Sequence, residues 1–404
     1  DATVTIEMPL QPKFEKIEVA VPKNTSKEID LTPILKKKGW VNNGSNPNNA
    51  DGGNEQTYVD DNNILESGLP GESCKITNKG IHITSTSLIT AYLERGHGKH
   101  NNCELWALKG QNAYGKNFVV PSSYDYSNKS YNTPKALNGI DIVAIENCEV
   151  TVTPSNAIMD DNDNTEWPKG EPRTFKLKKG QTLSLEAAST DKSKHLGGTI
   201  ISSKGKIAVQ WKDDSLLSTD SGSYDVVGDQ IIPNELAGKE YIVMRGQLGE
   251  KVTGGNYSRE YVYIYAIYPN TKVSFASPNG NAPDPITLSE PGDQKHVLLN
   301  NKTYNTNKKS MDNDFLEEDY DALHIKADQP IIVAHISGFG GEMGAAIIPT
   351  IDGCTGSTEV SASVSNTESN EQFFLNIMTK KPNIDHFTIF IITSQITGTV
   401  DRFF

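Results

Sequence analysis

ISSKGKIAVQ, residues 201–210, decides the reading of the chain because its plan occurs three times. It reads as a short strand, a tight polar turn at Lys204-Gly205 and a β-branched strand. It lines up with ITSTSLITAY at 83–92 and with IKADQPIIVA at 325–334, at spacings of 118 and 124 residues. AYGKNFVV at 113–120 matches LAGKEYIV at 236–243, with Gly115 and Gly238 separated by 123. The hairpin IVAIENCEVTV at 142–152 matches IYAIYPNTKVSF at 264–275, with Val150 and Val273 again 123 apart. Three markers that share one period define an internal repeat.

Working outward, the period places the first copy of the hairpin at Val4-Thr5-Ile6, 23 residues too early. The Asn/Gly/Asp-rich stretch at 42–63 accounts for the excess as a loop insertion. The last copy ends at FTIFIITSQITGTV, 387–400. The expected organisation is three units, 1–147, 148–270 and 271–404, with insertions at 42–63 and 300–319. Within them apolar and polar residues alternate with the period of a half-buried strand, as in Val4-Thr5-Ile6-Glu7-Met8. Turn formers such as Pro269-Asn270, Pro291-Gly292-Asp293 and Asp328-Gln329-Pro330 punctuate the runs. Segments 32–38, 87–94 and 315–323 alone have short helical character. The repeat overrides the second, because 206–211 alternates like a strand and 88–93 should follow it. The fold class is therefore all-β: three tandem pseudo-repeats of antiparallel β-sandwich type packed together. A propeller-like ring is the alternative, although its blades of about 40–45 residues are shorter than these units.

Composition removes several partners. With 404 residues and 22% charged, the chain is globular in type and long enough to bury a core without disulfides. Fifty-one Asp and Glu against 38 Lys and Arg argue against nucleic acid, which rewards a positive surface. No apolar run reaches the roughly 18–20 residues of a membrane-spanning helix; YVYIYAIY at 261–268 and FTIFII at 387–392 are strand length. The chain starts at Asp1 without a leader, so an export signal is expected to have been removed. Cys74, Cys103, Cys148 and Cys354 are too scattered for a zinc ribbon, and their even number allows two disulfides, in an open pairing, after export.

Few constellations offer chemistry. His97, His100, Cys103 and Glu104 have zinc-like spacing, with a polar loop as the plainer reading. Asp160, Asp161 and Asp163, with Asn162 and Asn164 between and beyond them, are the candidate calcium ligands; Asp312-Asn313-Asp314 is a similar run. Neither has the Gly and Glu of an EF-hand, and no other cofactor is indicated. The run Gly338-Phe339-Gly340-Gly341-Glu342-Met343-Gly344 imitates a dinucleotide loop. Pro349 follows too soon for the helix that phosphate binding needs, so the run reads as a flexible loop. Asp220-Ser221-Gly222 has no second copy to complete an aspartic dyad. No Gly-x-Ser-x-Gly elbow occurs, and His82, His324 and His335 lie in strand patterns.

The repeat phrases resemble those of the IgGFc-binding protein N-terminal domain family. That family's recurring elements are a Gly-x-x-Ile-x-Ser-x-x-Pro-Ile strand turn, a Leu-Gly-Lys-Glu-Tyr segment and a Val-Ala-x-Glu-Asn-x-x-Val-Thr-Val hairpin. Here they read KGIHITSTSLITAY (79–92), GTIISSKGKIAV (198–209), LHIKADQPIIVA (323–334), ELAGKEYIV (235–243) and VAIENCEVTVT (143–153). The resemblance implies a secreted, mostly β domain without catalytic residues. Such domains occur in mucus-associated animal proteins and large bacterial surface proteins, and the low cysteine content favours the bacterial type.

The expectation is a non-enzymatic extracellular recognition or adhesion module, one section of a longer secreted or cell-surface protein, binding a host or matrix protein or a glycan. Its contact surface would be the segments 42–63, 94–104, 212–229 and 300–319, with Trp40, Trp106, Trp167 and Tyr224 as stacking or anchoring groups. The rival readings are a carbohydrate-active or metal-dependent enzyme using the acidic loops, and a structural stalk or filament subunit.

Overall fold

The structure is a computed structural model that describes residues 1–31, 71–95, 104–130, 135–217, 224–248, 260–299 and 322–353, apart from positions 13, 279, 281 and 341. Among them every extended element is a strand, and the sheets curl towards half-barrels and nearly closed barrels.

The first region holds β1 (Ala2–Glu7), β2 (Ile17–Val21), β3 (Ile76–Thr77), β4 (His82–Ser85), β5 (Ala91–Arg95) and β6 (Glu104–Leu108). β1 pairs with β2 and β4, and β5 pairs with β6, all antiparallel. Alternation along β1 puts Val4 and Ile6 with Met8 and Phe14 into a small core of their own.

The second region holds β7 (Gly115–Val119), β8 (Asn138–Ala144), β9 (Cys148–Thr153), β10 (Ile158–Asp160), β11 (Thr165–Trp167), β12 (Arg173–Leu177), β13 (Thr182–Ala187), β14 (Ile200–Leu217) and β15 (Tyr224–Gln230). β14 organises it. Its first part, 200–203, pairs with β9, and its second part, 207–209, pairs with β8. The residues between, Lys204-Gly205-Lys206, bend the strand where its partner changes from β9 to β8 within one curled sheet. Only glycine fits there: a Cβ on Gly205 would come within 2.9 Å of Cys148 Cβ and Glu146 Cγ. The tight turn expected from sequence is thus a bend within a continuous strand.

The third region repeats this plan with β16 (Gly238–Met244), β17 (Gln247–Leu248), β18 (Tyr261–Ala266), β19 (Thr271–Ala276), β20 (Ile286–Leu288), β21 (Gln294–Leu298), β22 (Ala322–Gly340) and β23 (Glu342–Ile347). β22 pairs first with β19 and then with β18, as β14 does with β9 and β8. β20 flanks β19 as β12 flanks β9, β21 flanks β18 as β13 flanks β8, and β23 closes β22 as β15 closes β14. In the first region the corresponding strand is broken into β4 and β5. Strand structure starts at Ala91 instead of 88, and Leu88 is fully exposed.

Each region has an inner core, and the second core extends outward. Ile140, Ile142, Val150, Val152 and Trp211 fill the second, while Val262, Ile264, Val273 and Val333 fill the third. The outer face of β18 carries Tyr261, Tyr263 and Tyr265, which join the second core. β18 is therefore buried on both faces, which explains why YVYIYA lacks alternation. The first region joins β13, where Cys74 N donates to Ser184 O at 2.8 Å and β3 pairs with it, and it reaches the outer face of β8 where Gly80 sits against Val143. Each region thus backs onto the outer face of the next.

Two expectations are corrected. The glycine run is no flexible loop: β22 continues to Gly340 and Phe339 pairs with Glu342 across a tight hairpin. Cys74 and Cys148 are free thiols rather than disulfide partners. Burial raises the Cys74 thiol to about 12 and also raises that of Cys148, so both stay protonated at neutral pH. Cys103 and Cys354, the segments 42–63 and 300–319, and 387–400 lie outside the described residues.

Candidate recognition site

The acidic turn follows β10. Asp160 Oδ2 meets Arg173 Nη1 at 2.6 Å, and its Oδ1 accepts from Asn162 N and Nδ2 at 3.0 Å. Burial favours the neutral acid, but the Asn162 and Arg173 bonds outweigh it and hold Asp160 below its ordinary pKa. Asp161 Oδ2 accepts Ser73 N at 2.8 Å, and Asp163 is exposed. Two of the three candidate calcium ligands are spent on different protein partners, a poor fit to a hard cation that wants converging oxygens. Among the described residues no group of three or more His, Cys, Asp or Glu is placed to hold a metal ion. His97, His100, Cys103, Asp220 and Asp312 lie outside the described residues.

Ser, His and Asp come together deep in the second region. Asp213 is sealed from solvent and accepts from Trp211 Nε1 at 3.0 Å, Asn138 Nδ2 at 2.9 Å and Asn128 Nδ2 at 3.2 Å. Burial raises its pKa, with His195 and these donors opposing. His195 Nδ1 donates to Ser123 O at 2.7 Å and lies 3.8 Å from Asp213 Oδ1. Its Nε2 is buried and meets no hydroxyl, so the relay geometry of a hydrolase is not made. Tyr265 OH accepts Ser122 N and donates to Ser122 O, tying this cluster to β18. The cluster is a structural lock, and no sequence spacing announced it.

A second polar seam runs along the free edge of β23. Met343 N donates to Asp225 Oδ2 at 3.0 Å, Ala345 N to Glu104 Oε1 at 3.1 Å and Ile347 N to Asp229 Oδ2 at 2.9 Å. Carboxylates from β15 and β6 stand in for the carbonyls of a neighbouring strand, so the edge is closed to other chains. Glu104 is 8% exposed and Asp229 3% exposed. Burial raises both pKa values; Asp229's charge adds to the rise at Glu104, while Lys109 opposes it at Asp229.

A cleft of about 300 Å³ opens where β14 ends and β15 begins. Ser127, Asn128, Lys129, Thr190, Asp191 and Tyr224 line it, and Lys129 Nζ lies 4.5 Å from the Tyr224 ring centroid. Asp191 Oδ1 accepts Ser193 N at 2.8 Å and Ser193 Oγ at 2.6 Å, bonds that lower its pKa.

The aromatic anchors divide. Tyr224 lines the cleft, Trp40 lies outside the described residues, and Trp106 and Trp167 are core side chains at 1% and 0% exposure. Trp167 Nε1 donates to Glu171 O at 2.7 Å, and Arg173 covers its ring. The segment 212–229 is mostly framework: 212–217 and 224–229 are strand, with Asp213, Asp214 and Val227 buried. Of 94–104, Glu94 and Arg95 end β5 and Glu104 opens β6. His82, His324 and His335 each face a glutamate, Glu7, Glu240 and Glu260, at 3.0, 2.7 and 2.7 Å.

Antiparallel sheets that curl towards barrels, with Asp213, Glu104 and Asp229 held by hydrogen bonds from the frame, define an all-β protein. A family model described as IgGFc binding protein matches residues 107–402, well over half of the chain, and the chain belongs to that family. No curated protein and no solved structure matches it. No helix among the described residues is long and apolar enough to cross a membrane.

Proposed function

We propose that the chain is a non-enzymatic, extracellular recognition module of a cell-surface or secreted adhesin, built of three repeated units. The pairing plan of β7–β15, repeated in β16–β23, supports the repetition, although equivalent regions open at Gly115 and Gly238 and not at the expected bounds of 148 and 271. Family membership carries the binding role, and the partner class is a protein, host or matrix, with glycan as the second choice. The described part of the contact surface is the cleft at Lys129, Thr190 and Tyr224, where hydroxyls, a cation and an aromatic ring face one space. That composition suits a polar, hydrogen-bonding partner surface.

Calorimetric titration of the chain with immunoglobulin Fc, beside a glycan array and a hydrolase substrate panel, tests the reading. Saturable binding that weakens at least tenfold in Thr190→Arg or Tyr224→Ala is expected. Turnover of any panel substrate would replace the module with an enzyme.

A further inference from the structure

Lys109, just after β6, and Asp229, on β15, are 120 residues apart and meet in the interior. Lys109 Nζ lies 2.7 Å from Asp229 Oδ1, with side chains 17% and 5% exposed. Both ends are pinned. Lys109 N donates to Gln230 Oε1 at 2.6 Å, and Nζ also donates to Ala107 O at 3.2 Å. Asp229 Oδ1 accepts Gln230 N at 2.8 Å, while Oδ2 accepts Ile347 N at 2.9 Å. We propose that Lys109 and Asp229 condense to an intramolecular isopeptide bond that staples the first and second regions beside β23.

The bond-making step is balanced without any co-reactant. Nζ attacks Cγ of Asp229, the Nζ–Cγ bond forms, and the Cγ–Oδ1 bond breaks. Two protons of the ammonium leave with Oδ1 as water. No oxidant or reductant is involved, and a charged pair becomes a neutral amide. Ile347 N–H sits on the oxygen that stays behind, where it draws electron density from Cγ and stabilises negative charge during attack. After reaction that oxygen is the amide carbonyl and still caps Ile347 N. The edge of β23 stays satisfied.

In water the same pair does not react, because ammonium is no nucleophile and carboxylate no electrophile. The interior shifts both towards neutrality. Burial lowers the Lys109 pKa, with Asp229 opposing, and burial raises Asp229, with Lys109 opposing. Glu104, the adjacent carboxyl on the β23 edge, is held protonatable by burial and by the charge of Asp229. It is the group suited to take the ammonium proton and return it to the departing oxygen. Fixed approach of amine and acid supplies the effective molarity that free lysine lacks. Condensation also removes the desolvation penalty of a buried ion pair.

Intact mass of the full chain, denatured and reduced after purification, decides the matter. The expected mass is one water below that of the sequence, with a branched proteolytic peptide joining Lys109 to Asp229. Lys109→Arg keeps the charge but cannot condense, and it should show the full sequence mass. Glu104→Gln keeps an acceptor for Ala345 N and should leave the bond largely unformed. Full sequence mass in the native chain overturns the proposal. So does a lost water mapped elsewhere, for instance to Lys212 and Asp141, which lie 3.2 Å apart, or a lost water that persists in Lys109→Arg.

Discussion

NGIDIVA in β8 and YVYIYA in β18 occupy one position in two successive sheets, each flanked by the corresponding neighbours on both sides. Their inner faces are alike: Ile140 and Ile142 on β8, Val262 and Ile264 on β18, all buried. Their outer faces differ. β18 presents Tyr261, Tyr263 and Tyr265 to the second region, and β8 presents Gly139, Asp141 and Val143. Around Asp141 stand Lys212 at 3.2 Å and Ser184 at 2.6 Å, with Glu186 paired opposite Gly139. Leu298 holds the place of Glu186 in the third region, paired opposite Tyr261. The repeat preserved backbone pairing and inner packing, while each outer face was fitted to whatever covers it.

The comparison breaks if the aromatic outer face is not the one that carries stability. Tyr265→Ala empties a fully buried site and leaves Ser122 N and O without their partner, so it should cost about 3–5 kcal/mol. Val143→Ala, half-buried on the polar face, should cost about 1 kcal/mol. Denaturant unfolding of both variants measures the gap, and equal losses would refute the distinction.

Glu186 sharpens it through pH. Burial raises its pKa from 4.5 to about 7, with Lys212 opposing and Asp161 and Asp141 adding to the rise. The folded state therefore binds this proton more tightly than the unfolded chain. Its stabilising share is complete below pH 4.5 and is lost as pH rises through about 7. Melting temperature of Glu186→Gln should gain on the native chain across that window. A constant difference would mean that the polar face is as indifferent to protons as its tyrosine-bearing counterpart.

The smallest effect concerns the acidic turn, whose Asp160-Asp161-Asn162-Asp163 run is not repeated in the sequence between β19 and β20. Because Asp160 and Asp161 are bound to Arg173, Asn162 and Ser73, calcium or chelator should leave the melting temperature unchanged. A rise of several degrees with calcium would restore the cation reading.

Much of the frame was legible because a strand's period is local. The markers at 113–120 and 236–243 became β7 and β16, and the expected hairpins at 142–152 and 264–275 became strands β8, β9 and β18, β19, which pair with β14 and β22 and not with each other. The candidate contact residues were less legible. Trp106 and Trp167 read as display groups but are core, since an aromatic side chain says nothing of which face its strand will bury. Segment 212–229 read as loop because its acids look solvated; only the Trp211 and Asn138 donors show why Asp213 can be internal.

The sequence alone determined the strand repertoire, the repeat and the family, since alternation and turn residues act over a few neighbours. Tertiary structure decided which outer faces are dry and which acids close the β23 edge. It also decided where Lys109 meets Asp229. Those outcomes depend on groups more than a hundred residues apart, brought together only when one region packs on the next.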